Sequence, residues 1–331
     1  MEKSRMCLHV LKLFKTVSYF CLLVLLVSGC SFFSKKTAPL RIALNAWPGY
    51  EFLYLAHEKG FYKELGLETE IVQFASLADA RKAFERGQVD VVGTTLVEVL
   101  FARDKSDLNP KAFYVVDYSD GADVIVANKK IKSVKELKGK KVAVEVGSVC
   151  VYGLGRALEN AGLKMEDVVV VSMDQDTMAK SLKDNKVDAI VTYPPVSLEF
   201  VGNKDFNTIF TSKEVPFEIV DVLAAPQSLF ESRKDDLKKI VKGYEKAKTY
   251  AFDKNSDGMA LMAKREGLSQ KDFELALTDG LVLVPFDGQK DKYFKHNRLQ
   301  NITQKVEEFM FKAGQIKNNN ISKDVAEWVV D

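Results

Sequence analysis

The chain has 331 residues, 47% of them hydrophobic, with 48 Lys and Arg against 46 Asp and Glu and three His. That balance leaves no basic excess to steer it toward nucleic acid or anionic lipid, and the length suits one large domain or two medium ones. Three scattered His (His9, His57, His296) and four Cys show no spacing for a metal site or a catalytic triad, so no metal, cofactor or catalytic residue is expected.

The first thirty residues set the address. Lys3, Arg5, Lys12 and Lys15 make a basic start, and Val17 to Val27 is apolar but shorter than the ~20 residues that span a bilayer. Leu26-Val27-Ser28-Gly29-Cys30 then resembles the lipobox of bacterial lipoproteins, in which the cysteine is diacylated and becomes the new N-terminus. The resemblance implies a signal peptide over 1–29, lipidation at Cys30, and a tether over 30–39. It also implies a protein held at the cell membrane or outer membrane, facing the periplasm or the exterior. Removing residues 1–29 takes away four basic groups and one acid (Glu2), leaving 44 against 45, a charge near −1. Cys7 and Cys21 lie in the signal, so Cys150 is left alone, without a disulfide partner and expected as a small buried apolar residue.

From Leu40 the pattern alternates short apolar runs with amphipathic stretches, the mark of an α/β protein with mainly parallel sheets. Arg41–Asn45 reads as a strand ending in the turn Ala46–Tyr50, and Phe52–Phe61 as a helix stopped at Gly60. Strands over 68–74 and 89–93 and helices over 77–86 and 96–103 follow. Runs at 112–117 and 123–127 are split by Ser119-Asp120-Gly121. The grammar then restarts with a short helix at Ser133–Leu137, where Ser133 and Glu136 have capping-box spacing. After it come a strand at 141–146, a helix at 148–161, and strands at 168–173, 189–193, 208–211 and 219–225. Helices fill the chain from Ser228 onward, broken at Asp253–Gly258 and around Val284-Pro285-Phe286. Two such sets predict two lobes, and sheets of this kind bind ligands beyond the carboxyl ends of their strands.

The segments LRIALNAWPGYEFLYLAHEKGFYKELGLETEIVQF, DVVGTTLVEVL, YSDGADVIVANKKIKSVKELKGKKVAVEVGSV and VDAIVTYPPV resemble the binding components of nitrate/sulfonate/taurine and thiamine-pyrimidine-precursor ABC importers. That family has the two-lobed periplasmic-binding-protein-like (type II) fold. The resemblance implies a first lobe over 40–125 and 223–331 and a second over 126–222, with crossings near Val124–Ala127 and Val222–Ala225. It also implies closure on a small-molecule solute, a permease and its ATPase as partners, no chemistry, and a monomer. A sensory receptor reads the same in sequence. A pyrimidine-synthesising enzyme, which some relatives are, would need a Cys-rich segment that this chain lacks.

The loops at strand ends supply the candidate ligand-binding residues. Asn45, Trp47 and Tyr50 follow the first strand; the aromatics offer flat faces to a ring or an alkylammonium, or plug the lobe interface. Thr94 and Thr95 open a helix and could cradle a polar group, or Thr94 could be a plain N-cap; Glu98 lies one turn on. Asp117, Ser119 and Asp123 sit beside the first crossing. Glu145 and Ser148 open the second lobe's first helix, Tyr193 precedes Pro194-Pro195, and Asp221 adjoins the return crossing. Acids crowd these loops while no Lys or Arg lies in them. A buried charge needs a partner, so the ligand is expected to be an amine, a taurine-like zwitterion or an amino-pyrimidine. Asp253–Gly258 looks like half an EF-hand loop, but its twelfth position is Lys264, so it is expected as a turn between helices.

Overall fold

The computed structural model describes residues 38–330; the signal segment and Cys30 lie outside the described residues. Two sheets organise the chain. The first has the strand order β11-β4-β10-β3-β1-β2, made of β1 (Leu40–Leu44), β2 (Thr69–Gln73), β3 (Val91–Thr95), β4 (Lys111–Ser119), β10 (Val220–Ala225) and β11 (Leu281–Leu283). The second runs β7-β6-β8-β5-β9, from β5 (Val124–Asn128), β6 (Lys141–Val144), β7 (Val169–Ser172), β8 (Ala189–Thr192) and β9 (Phe206–Thr211). The two-lobed α/β architecture expected from the sequence is present.

The sheets are more evenly mixed than the strand–helix alternation implies. β1 pairs in parallel with β2 and β3, as β6 does with β7 and β8. The strands flanking the passages between sheets pair antiparallel: β10 with β3 and β4, and β5 with β8 and β9. β3 (VVGTT) and β10 (VDVLAA) are buried along their whole length, as strands covered on both faces should be.

The helices follow the sequence signals closely. Those used below are α1 (Glu51–Glu58), α2 (Phe61–Glu64), α3 (Leu77–Glu85), α4 (Leu96–Lys105) and α5 (Val149–Asn160). α1 stops at Gly60, which adopts the left-handed backbone (φ 72°). Ser76 caps α3 by accepting from Asp79 N (3.1 Å), and Ser148 caps α5 by accepting from Cys150 N (3.2 Å). At Ser133–Leu137 the predicted capping box is replaced by a short 3-10 turn. There Glu136 accepts from Lys132 N (3.1 Å), and Ser133 makes no side-chain cap.

Two boundaries shift. β5 and β10 each lie wholly in one sheet, because each pairs antiparallel with a strand on both sides and cannot be divided between lobes. The chain therefore passes between the sheets at 120–123 and 212–219, beside Val124–Ala127 and Val222–Ala225. The crossings lie side by side: Ser119 and Ser212 hydroxyls are 2.8 Å apart, Gly121 N donates to Ser212 Oγ (2.6 Å) and Ser212 N to Asp123 O (2.9 Å). Beyond Ser228 the chain is not helical throughout. β11 pairs with β4, and Ala326 makes a parallel bridge to Ala112. Asp253–Gly258 is the expected turn between helices Lys234–Phe252 and Gly258–Glu266.

Candidate functional site

The loops after β1, β3 and β8 meet between the lobes. The β1 loop is a 3-10 turn at Pro48–Tyr50, fixed from behind by Tyr244, whose hydroxyl donates to Gly49 O (2.9 Å). Gly49 is required there by space. A Cβ at this position would lie 1.9 Å from Asp117 Oδ2. The turn presents Asn45, Trp47 and Tyr50 to the second lobe, where Tyr193 meets them. Asn45 Nδ2 donates to Tyr193 Oη (3.2 Å), and the Trp47 and Tyr193 rings pack edge to face with centroids 5.9 Å apart.

These residues enclose a cavity of about 10 Å³, lined by Asn45, Trp47, Tyr50, Leu77, Thr95, Asp123, Val149, Tyr193, Ile219 and Asp221. That is room for about one water molecule, so the lobes lie closed on each other here. No Lys, Arg or His lines it. Asn45 Oδ1 and Asp123 Oδ2 are buried there without a hydrogen-bond partner. Both are acceptors, and an unpaired buried acceptor is costly until a donor arrives.

Behind the wall lies a connected acid network. Asp117 and Asp221 face each other across the β4–β10 ladder. Trp47 Nε1–H donates to Asp117 Oδ2 (3.1 Å), and the Tyr50 hydroxyl donates to Asp221. Two buried carboxyls this close cannot both carry charge at low cost, so the pair favours sharing a proton. Burial pushes Asp117 up to about 7; burial and the Asp117 charge raise Asp221 well above the usual carboxylate range. Burial likewise lifts Asp123 to about 6, although Ser119 bonds to it, and Glu98 to about 7; Glu145 also rises.

Of the thirteen predicted ligand residues, Asn45, Trp47, Tyr50, Thr95, Asp123, Tyr193 and Asp221 line the cavity. Asp117, Ser119, Glu98 and Glu145 each hydrogen-bond a lining residue from behind, and Ser148 lies behind Glu145. Thr94 does not reach it. The helix cap is Thr95, which forms a capping box with Glu98, and alternation along β3 turns Thr94 to the other face beside Val222. Glu98 acts as an acid at its own helix start and turns to α5: its Oε1 accepts from Val149 N (2.6 Å). Ser148 is likewise spent as a cap and on Glu145 O (2.9 Å). Sequence reading missed Leu77, Val149 and Ile219, the apolar part of the wall. Leu77 and Val149 each directly follow a capping serine at a helix start, a signal that could have found them. Cys150 is buried, as expected, and accepts from Gln175 Nε2 (3.2 Å).

This is the fold of the two-lobed periplasmic binding proteins. The alkanesulfonate-binding protein SsuA of Xanthomonas axonopodis, solved with MOPS bound, superposes with a TM-score of 0.74 at 16% identity, covering 88% of this chain and 98% of that one. The nitrate-binding protein NrtA of Synechocystis gives 0.68 at 14% identity, covering 87% and 86%. Residues 47–257 match the NMT1/THI5-like family, and the chain belongs to it. A Brucella abortus relative named as a binding protein is 25% identical over 258 residues, 74% of this chain and 77% of that protein. A yeast 4-amino-5-hydroxymethyl-2-methylpyrimidine phosphate synthase is 26% identical over 144 residues, 41% of this chain and 40% of its own.

Two outcomes follow from the buried acids and the tight turn. Carboxyls raised above their unfolded values near 4 bind more protons in the folded state, so stability falls as pH rises from about 4 through about 7. The ligand-free protein is expected to melt at a lower temperature at about pH 8 than at about pH 5, with Asp221→Asn flattening the drop; a melting temperature that rises over that range contradicts it. Gly49→Ala forces a methyl group into Asp117 and is expected to cost about 1–3 kcal/mol in denaturant unfolding; an unchanged midpoint would show the turn to be loose.

Proposed function

We propose that the chain is an extracytoplasmic solute receptor that closes its lobes on a small organic molecule bearing N–H donors and hands it to an ABC permease and its ATPase. The solute class is a protonated amine, a taurine-like zwitterion or an amino-pyrimidine. The protein works as a monomer and carries out no reaction of its own. The observation that carries this reading is the cavity wall: buried acceptors without partners, no cation, and aromatic faces on two sides. In this reading Asp123 Oδ2 and Asn45 Oδ1 accept from the solute's nitrogen while Trp47 and Tyr193 flank its body. Paired crossings side by side at 120–123 and 212–219 suit a hinge that buries the guest.

Calorimetry with alkylammonium ions, amino-pyrimidines, taurine, methanesulfonate and nitrate tests the reading. Binding is expected from the compounds that carry N–H donors, weakened by Asp123→Asn on the order of tenfold to a hundredfold, as for a lost charge-assisted hydrogen bond. A cationic solute favours the ionised acids, so its thermal stabilisation should grow from about pH 5 to about pH 8. Binding of methanesulfonate or nitrate alone overturns the assignment.

The same proposal places the receptor on a membrane through a diacylated Cys30, which keeps it near its permease at high effective concentration. Cys30→Ala is expected to release the protein from the membrane fraction into the soluble one. Retention in washed membranes argues against the anchor.

A further inference from the structure

Two carboxylates take no part in lining the cavity, yet both span the lobes. Glu98 belongs to the first lobe, held by its own capping box, where Oε2 accepts from Thr95 N (3.2 Å) and from the Thr95 hydroxyl. Its other oxygen accepts from Val149 N at 2.6 Å, the first amide of α5 in the second lobe. Glu145 mirrors this arrangement. It follows β6 in the second lobe, where Tyr193 Oη donates to its Oε2 (3.4 Å), and its Oε1 accepts from Ala78 N at 2.6 Å, in the first turn of α3 in the first lobe. Both residues are almost fully buried, at 1% and 2% exposure.

The exchange is reciprocal down to the caps. Each helix start already has a serine taking one free amide, Ser76 on Asp79 and Ser148 on Cys150. The opposite lobe's glutamate takes another. A helix start carries about half a positive charge and unpaired N–H groups, and it draws an anion. Leu77 and Val149, the first residues of these two helices, line the cavity, so both starts open where a solute would sit. The protein fills them with its own carboxylates.

We propose that Glu98 and Glu145 form a reciprocal clasp that positions the lobes in the closed form and, by occupying both helix starts, excludes anionic solutes from the cleft. The closing half of this inference is independent of the solute; the excluding half rests on the reading of the cleft as a site for N–H donors.

Amide hydrogen exchange on the ligand-free full-length protein tests the clasp, with Glu98→Gln, Glu145→Gln, the double variant and the surface control Glu159→Gln. A glutamine keeps the shape and an acceptor but loses the charge. Glu98→Gln is expected to speed exchange at Val149, and Glu145→Gln at Ala78, by about tenfold or more. Because closure is one event, each variant should also speed the other helix's amide, with an increase in the radius of gyration by small-angle scattering. Variants that speed only their own amide, or neither, overturn the clasp; Glu159→Gln should move neither, and circular dichroism melts confirm that all are folded. For exclusion, methanesulfonate should bind the double variant and not the wild type, and a double variant as indifferent as the wild type overturns it. If the wild type itself binds methanesulfonate, the reading of the cleft fails while crossed exchange effects would still establish the clasp.

Discussion

The desolvation of carboxylates in a cleft without cations governs the structure around the site. Five acids are buried at or behind the cavity wall, and none has a Lys or Arg partner in the lining. A bare buried charge would cost several kcal/mol, so each must find donors elsewhere. Asp117 and Asp221 share a proton and draw on Trp47 and Tyr50. Glu98 and Glu145 draw on helix starts. Only Asp123 keeps a carboxylate oxygen on the cavity wall with no donor within the protein beyond that shared pair.

The fold supplies those donors by geometry. Parallel strands end at one edge, and the helices that follow them begin there, so free N–H groups gather at the carboxyl ends of the strands. α3, α4 and α5 all start at this edge. The antiparallel pair β4–β10 then places Asp117 and Asp221 opposite each other beside the point where the chain leaves and re-enters the first lobe. The acids that polarise the site therefore sit next to the segments that join the lobes. Solvation of the site and position of the lobes are linked through the same residues.

Much of this was legible in the sequence. The strand-turn LNAWPGY and the helix stop at Gly60 are local signals, and local signals survive folding because the nearest neighbours dictate them. The loop residues Asn45, Trp47, Tyr50, Tyr193 and Asp221 could be placed because they follow apolar runs whose ends are sharp. What escaped was set by long-range contact. Thr94 and Thr95 are indistinguishable by type, and only strand alternation against β10 decides which one faces the cavity. The direction of Glu98 depends on a helix 51 residues downstream. β11 is three residues long and pairs because β4 continues to Ser119, further than its apolar run suggests.

A shared fold does not carry a shared ligand, and the reason is visible here at the level of single side chains. The same helix starts that can cradle an anion are neutralised once a glutamate from the facing lobe reaches them. Identities of 14% to 16% with the solved neighbours go with a shared fold and leave the lining of the cleft free to differ. The chemistry of the guest is then set by what remains unpaired after the protein has satisfied itself. In this chain the groups left over at the cavity wall are acceptors, Asn45 Oδ1 and Asp123 Oδ2. In the proposed reading, a guest that brings N–H donors completes the network, whereas one that brings another negative charge finds both helix starts already taken.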